Sequence, residues 1–135
     1  MIVHPAVIVH GLSDAGAALA LGAPVTLLSA PGAAAYAGCL WWREMIAAAR
    51  REHPHTQAID VLDCGGAPGL AMSALRMAVC RLVLADGLAW AAVSRIALRQ
   101  GGFVLNQAPP AIDLAARDGR FRLEGWVRQG NTKQT

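Results

Sequence analysis

Residues 60–69 read DVLDCGGAPG, which places an apolar run before an acid, a thiol, two glycines and a Pro-Gly pair. The apolar run is typical of a buried strand, and Pro68 suits the first position of a helix, where its missing N–H is not needed. Gly65 and Gly66 allow the tight turn between the two elements. The stretch therefore predicts a strand that turns directly into a helix.

The same alternation of strand and helix extends to both sides of this stretch. The strands are almost wholly apolar, so helices should cover both faces of the sheet. The pattern predicts a single α/β domain at residues 1–115. We expect a three-layer α/β/α sandwich with a mostly parallel sheet of about five strands, in flavodoxin-like or Rossmann-like order. The predicted strands are Val7–Val9, Pro24–Leu28, Ala58–Leu62, Leu82–Leu84 and Phe103–Leu105.

The C-terminal residues have a different composition. Residues 116–135 hold five Arg or Lys residues against two Asp or Glu residues, which accounts for the whole net charge of +3. Because hydrophobic periodicity is weak here, we predict a basic extension that is partly disordered, with a short strand near residues 121–123. Five cations beside two anions do not make a dense basic patch, so nucleic acid is not an expected partner.

Composition also bears on the oligomeric state and the cellular compartment of the chain. Of its 135 residues, 55% are hydrophobic and 16% are charged. So little charge would leave apolar surface on a monomer, and we expect a homo-oligomer. Three cysteines and a start without a cationic head favour the reducing cytoplasm. The uncharged run at 15–42 is broken by glycines and prolines, so no membrane span is expected.

The candidate binding residues follow from the sheet, since ligands of open parallel sheets bind beyond the carboxyl ends of the strands. If the strand order is 2-1-3-4-5, the loops after the first and third strands meet where that order reverses. Amides at the helix starts behind these loops favour a small anionic ligand. The predicted ligand-binding residues are Ser13, Asp14, Ser29, Gly65, Gly66, Asp86 and Asn106.

Three residues are candidates for catalysis, namely Cys64, Asp63 and His10. Amides of the following helix would lower the pKa of the Cys64 thiol and populate the nucleophilic thiolate. His10 would serve as its base or orienter if the two loops meet. The alternative is a small buried loop cysteine, because the adjacent Asp63 carboxylate raises the pKa of a neighbouring thiol.

A metal site is not predicted. His53 and His55 flank a proline just past a helix end, and no second cluster of ligands at a metal spacing accompanies them. Such histidines are more typical of an exposed loop than of a zinc site. No bound cofactor is predicted from the residue pattern either.

Residues 60–86 resemble the first two motifs of Rossmann-fold methyltransferases that use S-adenosylmethionine. The resemblance implies that a glycine-rich turn and a later acid hold that cofactor. The matching residues are Asp63, Gly65, Gly66 and Gly69 in the first motif and Asp86 in the second. The chain departs from the family, because two predicted strands precede the motif and about 49 residues follow it, fewer than the family's further strands need.

Three functions stay open on the sequence. The first is a small anionic-metabolite-binding site at the carboxyl ends of the strands, with or without catalysis. The second is a non-catalytic structural or interaction protein that self-associates. The third is a methyltransferase-like fragment that binds S-adenosylmethionine. The sequence does not decide whether the chain is an enzyme.

Overall fold

Strands and helices alternate along the computed structural model, which describes residues 2–133, except at one pair of successive helices and one pair of successive strands. The strands are β1 (Ala6–Ile8), β2 (Val25–Leu28), β3 (Ala58–Asp63), β4 (Arg81–Val83), β5 (Phe103–Leu105) and β6 (Ala111–Asp113). The helices are α1 (Leu12–Leu19), α2 (Ala33–Tyr36), α3 (Cys39–Glu52), α4 (Pro68–Arg76), α5 (Trp90–Arg99) and α6 (Gly119–Thr132). The predicted α/β class with a parallel sheet is confirmed. The elements are consistent with the predicted sandwich, with six strands in place of about five.

The strands neighbour one another in the order β5-β4-β3-β2-β1-β6. The order 2-1-3-4-5 considered above is therefore wrong, because β2 lies between β1 and β3. The strand order does not reverse between β1 and β3. Successive amides of β2 donate in opposite directions, Val25 to Gln57 O at 3.1 Å and Thr26 to Pro5 O at 2.9 Å. All four residues of β2 are buried, as is typical of a strand with two neighbours, whereas the predicted order would have left β2 at an edge.

The described chain divides into two compact units. The β1 unit comprises residues 2–28, 45–60 and those from 109 onward, and it holds β1, β2, β6, α1 and α6. The β4 unit comprises residues 29–44 and 61–108, and it holds β4, β5, α2, α4 and α5. Each unit has its own apolar core. The β1 unit buries Val7, Leu19, Val25, Leu27, Ile112, Leu123 and Val127, and the β4 unit buries Leu62, Ala71, Ala74, Leu82, Val93 and Ala97.

The C-terminal segment is regular rather than irregular in its described part. Residues 119–132 form α6, so the short strand predicted near residues 121–123 is wrong. That prediction was made where the hydrophobic periodicity is weak, and Phe121 is 92% exposed. The apolar stripe that decides the element is Leu123, Trp126 and Val127, which has the spacing of one helix face. Partial disorder was predicted for this extension, and its last two residues lie outside the described part.

Two of the five cations of the segment form ion pairs with acids in α6 or just before it. Arg128 Nε lies 3.0 Å from Glu124 Oε1, and Arg122 Nη1 lies 4.0 Å from Asp118 Oδ2. No helix among residues 2–133 is long and apolar enough to cross a membrane.

Candidate functional site

The carboxyl ends of β1 and β6 lie side by side in the β1 unit, because the two strands pair in parallel with Ile8 opposite Asp113. His10 follows β1, and its Nε2 lies 2.6 Å from Oδ1 of Asp113. The same carboxylate oxygen accepts the Ala115 N–H at 2.9 Å, which holds it in place. Strand pairing thus builds a His–Asp pair from residues that are 103 positions apart.

This pair leaves one imidazole nitrogen open. An ionised carboxylate can only accept hydrogen bonds, so Nε2 of neutral His10 carries the proton and Nδ1 presents its lone pair. Nδ1 makes no hydrogen bond with any of residues 2–133, and the His10 side chain is 37% exposed. The arrangement can fix one tautomer of the imidazole while the second nitrogen exchanges a proton with a ligand.

Asp14 links His10 to Arg120 at the same strand ends. Its Oδ2 accepts the backbone N–H of His10 at 2.9 Å, and its Oδ1 accepts Nη2 of Arg120 at 2.7 Å. Burial alone would raise the pKa of Asp14. Hydrogen bonds from Arg120 and the His10 backbone, with the positive charge of Arg120, outweigh burial and lower that pKa. Asp14 is therefore a carboxylate at neutral pH and a fixed anchor for the guanidinium.

Several hydrogen-bond donors of the Arg120 guanidinium are unused within residues 2–133. Its Nη2 also reaches Ser13 Oγ at 3.1 Å, so both bonds that it makes to the first turn of α1 use one nitrogen. A guanidinium has five N–H donors, and those on Nε and Nη1 make no bond within residues 2–133. The side chain is 48% exposed. Arg120 can therefore hold an anionic group without leaving Asp14.

The other predicted binding residues belong to the β4 unit, and each follows the end of a strand. Asp63 Oδ1 accepts the Gly65 N–H at 2.8 Å, and the Asp63 N–H donates to Ser29 Oγ, also at 2.8 Å. Gly65 has a φ of +59°, which favours glycine in this turn. Both Asp63 and Ser29 are buried. Their polar groups close the turn between β3 and α4, so the local fold already uses them.

Cys64 does not have the lowered pKa that its place before a helix suggested. Burial, then the negative charge of Asp63, then Cys39 raise the pKa of the Cys64 thiol to about 12. Its Sγ lies 3.9 Å from the Leu62 carbonyl oxygen. The thiol therefore stays protonated at neutral pH, which argues against a nucleophilic role. His10, its predicted base, belongs to the β1 unit and bonds Asp113.

A second polar pair in the β4 unit stands at the ends of β4 and β5. Asn106 Nδ2 donates to Asp86 Oδ2 at 3.3 Å, and both side chains are exposed. Gly66 faces open space where a side chain would begin. Asp86 is thus accessible, as the resemblance to S-adenosylmethionine-binding proteins requires, whereas the Asp63 carboxylate is engaged by its own turn.

Sequence reasoning missed Asp113 and Arg120. Asp113 had a signal, since it ends an apolar run just as Asp63 ends "VLD". The run was too short to be recognised as a sixth strand. No sequence signal pointed to Arg120, because an arginine in a basic segment does not reveal which carboxylate it pairs with.

Among residues 2–133, no group of three or more His, Cys, Asp or Glu side chains is placed to hold a metal ion. No family model matches the sequence, and no curated protein is significantly similar to it.

Proposed function

We propose that this chain binds a small anionic metabolite at the carboxyl ends of β1 and β6, and that His10 exchanges a proton with it. The observation that carries the proposal is the 2.6 Å hydrogen bond between His10 and Asp113, in a cluster that Asp14 joins to Arg120. All four side chains belong to the β1 unit.

Each residue has a distinct role in this proposal. The unused donors of Arg120 bind a carboxylate or phosphate oxygen, with help from the first-turn amides of α1. Nδ1 of His10 takes or returns a proton, and Asp113 holds the ring and stabilises its charged form. Asp14 positions Arg120 for binding, and Arg120 also donates to Ser13 Oγ. Because Asp14 and Asp113 are both anionic, the site should select small ligands that approach from the Arg120 side.

The test is a thermal-shift screen of carboxylates and phosphates, each paired with its neutral amide or alcohol analogue. At least one anion should raise the melting temperature of the wild type, and its neutral analogue should not. Arg120→Gln should lose most of that shift. Arg122→Gln is the matched control, since Arg122 is an exposed arginine on the same helix paired with Asp118, and it should keep the shift.

Two results would contradict the proposal. One is the lack of any saturable shift across the screen, and the other is an equal loss of the shift in both arginine variants. Asp63→Asn and Cys64→Ser should leave ligand shifts unchanged, since their side chains serve the β3–α4 turn. S-adenosylmethionine belongs in the screen, and a shift that Asp86→Asn abolishes would move the site to the β4 unit.

A second candidate function, self-association as a structural or interaction protein, is favoured by one cluster of exposed residues. Tyr36, Leu40 and Trp41 lie within six positions and are 70%, 50% and 36% exposed. Large apolar side chains gathered in this way are typical of interfaces.

Sedimentation velocity over a wide range of concentrations tests self-association. The wild type should sediment as a species larger than the 14.1 kDa monomer. Trp41→Glu should shift it to the monomer, because a charge in an apolar interface is costly to bury. Leu98→Glu, on α5, is the matched control and should behave as the wild type. A monomer at every concentration excludes this function.

A further inference from the structure

A recess lies at the amino ends of β1 and β6, opposite to the ends that carry His10 and Asp113. Its volume is about 380 Å³, which falls in the range of small-molecule pockets. The residues before β1, the residues before β6 and the last turns of α6 enclose it, and all belong to the β1 unit. Its principal walls are Val3, Pro5, Pro109, Pro110 and Trp126, with Lys133 at one side.

Close contacts between β1 and α6 fix the main wall of this recess. Trp126 Nε1 donates to the Ala6 carbonyl oxygen at 2.8 Å, so the indole is held in one orientation. Gly130 lies against Pro5, where a Cβ on the glycine would be only 2.7 Å from the proline Cβ. The helix therefore packs closely against the residue before β1, and the indole wall cannot easily collapse into the space.

Hydrogen bonds fix the side of the recess formed by His4. Its Nδ1 lies 3.1 Å from Asn131 Oδ1, and its carbonyl oxygen accepts Thr26 Oγ1 at 2.9 Å. Asn131 Nδ2 in turn donates to the carbonyl oxygens of Pro24 at 2.8 Å and Val127 at 2.9 Å. A recess whose walls are ordered beforehand loses little conformational freedom when a ligand binds.

The polar groups of the recess define the ligand. Within residues 2–133, the Lys133 ammonium and the Gln129 side-chain amide make no hydrogen bond or ion pair, whereas His4 is engaged. The remaining walls are apolar. We propose that the recess binds an amphiphilic monocarboxylate, with its aliphatic or aromatic body against Trp126 and Val3 and its carboxylate at Lys133. This site is independent of the one at His10, because it uses the other ends of the strands.

Nuclear magnetic resonance of the ¹⁵N-labelled protein tests the proposal, with octanoate and octanol as probes. Octanoate should shift the Trp126 indole N–H and the backbone amides of residues 2–4, 6 and 129–133 in a saturable way. Lys133→Gln should weaken octanoate binding up to about fivefold and leave octanol binding unchanged, as expected for one exposed ion pair. Arg128→Gln removes a neighbouring cation outside the recess, which pairs with Glu124, and should change neither affinity.

A variant at the mouth of the recess gives a second measurement. Val3 is 51% exposed, so Val3→Glu should fold while placing a carboxylate against the ligand and weakening octanoate more than octanol. Octanoate shifts that do not saturate, shifts centred away from Trp126, or equal effects of Lys133→Gln and Arg128→Gln would overturn the proposal.

Discussion

Cys64 and His10 were predicted to act together, and their surroundings give them opposite characters. His10 is partly exposed and pairs with a carboxylate that orients its ring. Cys64 is buried beside Asp63, and both effects keep its thiol protonated. The amides of the helix behind it do not outweigh the loss of solvent. At the scale of the residue, these surroundings make His10, and not Cys64, the candidate for proton exchange.

The raised pKa of Cys64 predicts that stability falls in mild alkali. The unfolded chain releases this proton above about pH 8.5, whereas the folded chain holds it up to about pH 12. Between these values the unfolded state binds fewer protons, so the free energy of unfolding falls as pH rises. By about pH 10, the raised pKa of Cys64 should have lowered the free energy of unfolding by about 1–2 kcal/mol.

Urea unfolding at several pH values measures this contribution. Cys64→Ala should show a smaller fall than the wild type over the alkaline range. Cys80→Ala should keep the wild-type fall, since that thiol is only partly buried and contacts Gln100 O at 3.8 Å. Parallel curves for the wild type and Cys64→Ala would show that the thiol titrates normally.

At the scale of the element, α6 decides the geometry of the candidate site. Its first residue, Gly119, lies so close to the end of β6 that a Cβ would be 2.2 Å from Asp113 O and 2.9 Å from Leu114 Cα. The next residue is Arg120, so this close approach sets where the guanidinium meets Asp14. Leu123 and Val127 bury the helix face that keeps it there.

Two glycine substitutions on α6 should have opposite effects on stability. Gly119→Ala forces the helix away from β6 and should cost at least about 2 kcal/mol. Gly125 has open space around it, so Gly125→Ala should stabilise the chain by about 0.5–1 kcal/mol through helix propensity. Thermal or urea unfolding measures both. A neutral Gly119→Ala would mean that α6 is not packed against β6 in this way.

At the scale of the whole molecule, the strand order determines which loops share an end of the sheet. The order β5-β4-β3-β2-β1-β6 places β6 beside β1, and this brings Asp113 to His10. The order 2-1-3-4-5, on which the expected meeting of the β1 and β3 loops depended, contains no sixth strand and therefore leaves Asp113 out of the site.

Hydrogen exchange followed by mass spectrometry distinguishes the two orders. Because β2 donates to strands on both sides, peptides that cover residues 25–28 should exchange as slowly as those of β1. Peptides of β5 and β6, each with one neighbouring strand among the described residues, should exchange faster. Exchange of β2 at the rate of these edge strands would support 2-1-3-4-5 instead.

Local pattern alone was enough for the fold class. Apolar strands alternate with helix-period segments, and DVLDCGGAPG marks the turn from β3 to α4 through Gly65 and Pro68. The sixth strand and α6 were missed, because a three-residue strand is too short for a periodic signal and the helix stripe was masked by alternating charges. Only the tertiary structure decided which residues form the candidate site. His10 and Asp113 are 103 positions apart. Strands so far apart in sequence become neighbours only when whole elements pack together, and the spacing of residues along the chain does not show which strands will pair.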